Sequence, residues 1–158
     1  MLGNAVFEDL LEQIGSDAVS PGSGVAAAGA LALGIACLRK AVSVSRRHTP
    51  EDARLEEADA RLCGLLDRAL AAGQADSLGF PRLAASSAEE EKAAAAEDLV
   101  ALADRVTWIC AQLTAEAARL APIVQPNMAN DVLAAQMLAE AAAAIAKANG
   151  AENNEVLS

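Results

Sequence analysis

The most constraining stretch of this chain is Ser20-Pro21-Gly22-Ser23-Gly24, which runs without interruption into Val25-Ala26-Ala27-Ala28-Gly29-Ala30-Leu31-Ala32-Leu33-Gly34-Ile35-Ala36-Cys37-Leu38. A Gly-rich turn opens a helix made almost wholly of small residues. Proline stops what precedes it and presets the turn. The glycines permit backbone conformations and close approaches that a side chain would block. The free N–H groups at such a helix start suit an anionic or polar ligand. This is no P-loop, because no Gly-Lys-Ser/Thr follows. Small side chains let neighbouring helices come close, so the segment predicts a central helix with a candidate site at its N-terminal end.

Composition supports a core of the same kind. Of 158 residues, 54% are hydrophobic but only 2% aromatic, with no tyrosine. The length is enough for one domain with a real core, read as a single helical domain over residues 1–158. Ala, Leu, Val and Ile must fill that core, and burial must come from close helix contact or from a second subunit. The net charge of −10 argues against nucleic acid, whose phosphates call for basic patches, and against anionic membrane surfaces. Cys37, Cys63 and Cys110 lie far apart in apolar patterns, without the spacing of a disulfide framework or a zinc site, and read as buried small hydrophobes. With one histidine, His48, neither metal nor Ser-His-Asp chemistry is expected. The N-terminus carries Glu8, Asp9 and Glu12 rather than a basic leader, and the apolar run to Leu38 is shorter than the ~20 residues of a bilayer span. The expectation is a soluble cytoplasmic protein.

The periodicity is helical throughout and predicts an all-α bundle of about five helices. Asn4 caps a first short helix, with Phe7, Leu10, Leu11 and Ile14 as its apolar stripe and Gly15 as its end. The second runs from about Gly24 to His48, apolar all round up to Leu38 and so expected to be buried on every side there. Its last part is basic, through Arg39, Lys40, Arg46 and Arg47, which suits the helix dipole and offers a rim for an acidic ligand. Thr49-Pro50-Glu51-Asp52 reads as the next helix start, with Thr49 as cap, and Pro81 as the end of that helix near Phe80. Ser87-Ala88-Glu89-Glu90 reads as a capping box for a long fourth helix to about Leu120. Asn127 is placed to cap a fifth, which Asn149-Gly150 would stop.

Three polar features fall beside apolar helical surface: Asp76 late in the third helix, Asn127 and Asp131 at the start of the fifth, and Asn149 at its end. Asp131 in a first turn is ordinarily a dipole partner. Asp76 stands in a segment poor in charge, where burial would raise its pKa and fit it for general acid–base work.

In order along the chain, these residues resemble the formiminotetrahydrofolate cyclodeaminase / methenyltetrahydrofolate cyclohydrolase family, the folate domain of formiminotransferase-cyclodeaminase. Pro21-Gly22-Ser23-Gly24-Val25 stands for the family's Pro-Gly-Gly-Gly-Ser loop, and Asp76 with Phe80 for its Asp-x-x-x-Phe. Glu89-Glu90-Glu91-Lys92 matches an acidic helix start, Pro126-Asn127-Met128-Ala129-Asn130-Asp131 a Pro-Asn-x-x-Ser-Asp motif, and Asn149 with Asn153 a closing Asn-x-x-x-Asn. The chain departs at Ser23 and Val25, which change the Gly run and remove a hydroxyl, and at Ser45-Arg46-Arg47-His48, which keeps charge but lacks an aromatic.

The resemblance implies a homodimer that binds a reduced folate, a tetrahydrofolate derivative as substrate, near the Gly loop and without a metal. It implies Asp76 and Asp131 as catalytic carboxylates. Gly22, Ser23 and Gly24 would offer N–H groups, Asn127 and Asn149 would bind the pterin or linking amide, and Arg46 and Arg47 would meet the glutamate tail. The alternative is a family member without the chemistry, serving as a small-molecule-binding or dimeric interaction protein.

Overall fold

A computed structural model describes residues 5–158, so Asn4, expected as the first cap, lies outside the described residues. The elements are α1 (Ala5–Ile14), α2 (Ser23–His48), α3 (Ala53–Ala85), α4 (Glu89–Leu120), a 3-10 turn (Pro126–Met128) and α5 (Ala129–Glu155), and no strand occurs among the described residues. The protein is all-α, as the periodicity predicts.

Helices α2 to α5 form a square. α2 and α4 each pack along both α3 and α5, and α2 touches α4 only lightly across the diagonal. Short connections make sequential helices antiparallel neighbours. Leu31, Ile35, Leu38, Leu55, Leu62, Leu113 and Leu120 are fully buried. Between them lie buried alanines, including Ala27, Ala58, Ala96, Ala117, Ala135 and Ala139. Because these layers are thin, backbones meet: a Cβ on Gly34 of α2 would lie 3.2 Å from both the Ala135 carbonyl oxygen and Leu138 Cβ of α5. Ser45 anchors the α4–α5 connection from the core. Its buried hydroxyl donates to the Ala41 carbonyl at 2.8 Å and accepts from the Gln125 N–H at 2.8 Å.

Several expected boundaries move, each for a local reason. Thr49 closes α2 instead of opening α3: its hydroxyl donates to the Ser45 carbonyl at 3.1 Å, while Asp52 caps α3 by accepting from the Arg54 N–H at 3.1 Å. α3 does not stop at Pro81 but continues to Ala85. A proline removes the N–H that would bond four residues back, here to the Ser77 carbonyl. The Ser20 hydroxyl donates to that carbonyl at 3.2 Å, so the loop before α2 supplies the missing donor. Ser87 forms no cap, since Ala88 precedes α4 and no side chain bonds there. Asn127 likewise sits in the 3-10 turn, with Met128 preceding α5 and no side-chain cap. α5 runs through Asn149-Gly150 to Glu155, so the closing residues extend the helix.

The first half of α2 is not buried on every side. Leu33 is 50% exposed and Ala36 is exposed, on the face that α3 and α5 leave open. With a mean hydropathy of 1.7 over its most apolar window, α2 is long and apolar enough to cross a membrane by length and composition, though it packs as a core helix here. α1 has the most one-sided apolar stripe of the helices yet makes only slight contact with the bundle, with Phe7 and Leu11 exposed.

Candidate functional site

The Gly loop and the start of α2 meet the end of α3 and the end of α5. Gly22 stands before the first turn of α2 and offers no side-chain cap, so the leading N–H groups lack helical acceptors. Asp76 reaches them from α3. Its carboxylate accepts from the Val25 N–H and packs so close to Gly24 that a Cβ on that residue would lie 2.0 Å from Asp76 Oδ1. Any side chain at that position would displace the carboxylate. Burial of the Asp76 carboxylate raises its pKa above the ordinary carboxylate range, and the Val25 N–H offsets part of that rise.

The third wall is α5. Ser23 Oγ donates to Asn149 Oδ1 at 3.1 Å, and Asn153 stands one turn further along, 8% exposed. Together with Val19, Ser20, Gly22, Phe80 and Glu152 these residues line a polar cleft of about 240 Å³. Below it a narrow crevice of about 20 Å³ continues past Asp76 to an apolar floor of Ala27, Leu99 and Val106.

The structure therefore brings together Gly22, Ser23, Gly24, Asp76 and Asn149. It does not bring the other expected site residues to this cleft within one chain. Arg46 and Arg47 lie about 35 Å further along α2, at ~1.5 Å per residue. Arg46 lies 3.8 Å from Asp59 of α3, an acid that Arg39 also binds at 3.0 Å. Asp131 pairs with Lys40 at 3.2 Å, at the same end as exposed Asn127. That group has its own thiol: the Cys37 pKa is pushed up, first by burial and then by the charge of Asp131. Cys110 is buried and its thiol is pushed up to about 11 by desolvation, whereas Cys37 and Cys63 are only partly covered. No group of three or more His, Cys, Asp or Glu side chains that could hold a metal ion occurs among the described residues.

Asn153 belongs to the cleft as much as Asn149 does. The signal was present in the sequence, since residues four apart share a helix face. The closing Asn-x-x-x-Asn already pairs the two, but reading Asn149-Gly150 as a helix stop sets Asn153 beyond the helix. Ser20 is likewise invisible in isolation, because its role depends on the carbonyl that Pro81 leaves free.

The profile of the formiminotransferase-cyclodeaminase family matches residues 6–157, nearly the whole chain. The chain belongs to this family. Among solved structures, the formiminotetrahydrofolate cyclodeaminase of Thermotoga maritima is similar with a TM-score of 0.88 at 19% identity, over 94% of this chain and 77% of that one. At that identity the likeness shows the fold. Among curated proteins no sequence match was found. Membership supports a folate-related one-carbon role for the chain.

Proposed function

We propose that the protein is a folate-dependent one-carbon enzyme, a formiminotetrahydrofolate cyclodeaminase or a methenyltetrahydrofolate cyclohydrolase, acting in the cytoplasm without a metal. The observation that carries this reading is the partly buried Asp76 carboxylate, held against Gly24 and the start of α2 in a chain of this family. In the cyclodeaminase reaction N10 of the folate attacks the formimino carbon and ammonia leaves, giving the methenyl cation. In the cyclohydrolase reaction water attacks that cationic carbon. Both need a proton carrier beside a developing or resident positive charge. A carboxylate with a raised pKa supplies the first need and its ionised form the second. Ser23, Asn149 and Asn153 offer hydrogen bonds to the pterin or the linking amide, and Gly22 and Gly24 let a flat ligand approach the backbone.

Asp131, Asn127, Arg46 and Arg47 enter the same reading through a homodimer. Leu33 of α2 and Met137 of α5 are 50% and 60% exposed and flank the crossing where Gly34 meets Ala135 and Leu138. Covering this apolar face with a second copy whose α2 runs antiparallel would set the far end of one chain beside the cleft of the other. The glutamate tail of a folate at Asp76 would then reach Arg46 and Arg47 of the partner subunit.

The test is direct. Reduced folates such as 5-formyltetrahydrofolate should raise the unfolding midpoint in a concentration-dependent way. Turnover, followed by the absorbance of the methenyl compound, should fall by about 10²- to 10⁴-fold in Asp76→Asn. Folate binding with no turnover in the unaltered protein would favour the binding-protein alternative; unaltered turnover in Asp76→Asn would remove Asp76 from the chemistry.

A further inference from the structure

The protein has a larger cavity away from Asp76. Between α3 and α4 lies a trench of about 520 Å³, within the range that small-molecule sites occupy. Its floor is apolar, built from Ala72, Leu102 and Ile109, and its rim carries Trp108, the only tryptophan in the chain, 48% exposed. Each wall contributes one arginine: Arg68 from α3 and Arg105 from α4. The Arg68 guanidinium lies 5.3 Å from the centre of the Trp108 ring. Among the described residues neither arginine has a carboxylate within ion-pair distance, in a chain with 22 acidic and 12 basic side chains. Two guanidiniums without a carboxylate partner thus border one apolar trench, where a ligand carboxylate could pair with them.

The trench is separate from the Asp76 cleft. Ala72 and Leu102 border both the trench and the crevice below Asp76, but no residue that lines the polar cleft around Asp76 lines the trench. We propose that this trench is a second ligand site, for a small aromatic carboxylate distinct from the ligand at Asp76. Its ring lies on the apolar floor against the Trp108 indole, and its carboxylate is held between Arg68 and Arg105. Guanidinium matches carboxylate geometry and keeps its charge at all physiological pH values, and an indole face offers flat apolar area. The proposal does not depend on the folate reading, since no residue of the Asp76 pairings is used.

A single tryptophan gives a single indole N–H resonance, so ¹⁵N-labelled full-length protein reports on the trench without ambiguity. Titration with 2-naphthoate should shift that resonance saturably. The uncharged isostere 2-naphthamide should bind at least tenfold more weakly. The double variant Arg68→Gln/Arg105→Gln should lose at least tenfold in affinity for 2-naphthoate while its unfolding midpoint and folate binding stay unchanged. No shift at millimolar 2-naphthoate, equal binding of acid and amide, or unchanged affinity in the double variant would each overturn the site. An indole resonance that moves with protein concentration alone would assign the trench to a second copy of the chain. One that moves with 5-formyltetrahydrofolate but not with 2-naphthoate would assign it to the folate tail. Either result overturns a separate aromatic-acid site.

Discussion

The contact between Gly24 and Asp76 makes the sharpest prediction at the scale of single residues. In Gly24→Ala the new Cβ would fall 2.0 Å from Asp76 Oδ1, so the carboxylate, the movable end of the pair, must swing away from the Val25 N–H. Alanine is favourable within a helix, so the fold should survive with an unfolding midpoint within a few degrees of the parent, while turnover should fall by about 10²-fold or more. Loss of folding instead would mean that the contact is structural. Asp76→Asn separates stability from activity by its pH dependence. The Asp76 pKa is raised in the fold, chiefly by burial. Between the ordinary carboxylate pKa and that raised value, the folded state keeps a proton that the unfolded state has released, so stability falls as pH rises through this window. Asparagine carries no such penalty. Asp76→Asn should therefore unfold at a higher temperature than the parent at neutral pH, and the advantage should vanish at a pH below the ordinary carboxylate range. Asp76 was legible in the sequence because it stands in a charge-poor stretch; its partner Gly24 was legible only as loop flexibility. The close approach at Gly24 comes from an atom on another helix, 52 residues away in the sequence (76 − 24), which no local pattern carries.

At the scale of helices, existence was readable and ends were not. The heptad-like recurrence of Leu99, Leu102, Val106, Ile109 and Leu113 predicts α4, and all five are buried. Helix ends depend on which group meets an orphan donor or acceptor, and here the partner is often distant in sequence. Pro81 would end α3 on local rules, but the Ser20 hydroxyl reaches the Ser77 carbonyl. Asn149-Gly150 would stop α5, but packing of α5 along α2 and α4 carries the helix on to Glu155. Ser45 shows the same economy from inside the core. Its hydroxyl is the acceptor for the Gln125 N–H in the connection that launches α5. Ser45→Ala would leave that N–H without its partner in a part-buried setting and should cost about 1–3 kcal/mol. Urea unfolding should then show a lower midpoint with an unchanged slope. A midpoint equal to that of the parent would mean that water replaces the hydroxyl at no cost.

At the scale of the whole molecule, the two groups of expected site residues occupy opposite ends of one bundle. Gly22, Ser23, Gly24, Asp76 and Asn149 meet at one end, and Asp131 with Lys40 marks the other. Sequence order could not separate them, because antiparallel helices return the chain to both ends repeatedly. The proposed dimer resolves the division. The chain should run in light scattering as a species of twice its 16.0 kDa mass. A two-fold, self-complementary interface of antiparallel α2 helices makes two equal composite sites, each with Asp76 from one copy and the partner subunit's Asp131. Asp76→Asn and Asp131→Asn homodimers should each be inactive. In a mixed dimer one site collects both substitutions and the other collects neither. Unfolding and refolding the two variants together at equal amounts should then restore about a quarter of the parent activity, since half of the dimers are mixed and each holds one intact site. If each site were instead built within one chain, every site in the mixture would keep one substitution and the activity would stay at the level of the separate variants. Recovery of activity is thus tied to shared sites, and its absence with a dimeric mass would leave Asp131 outside the chemistry at Asp76.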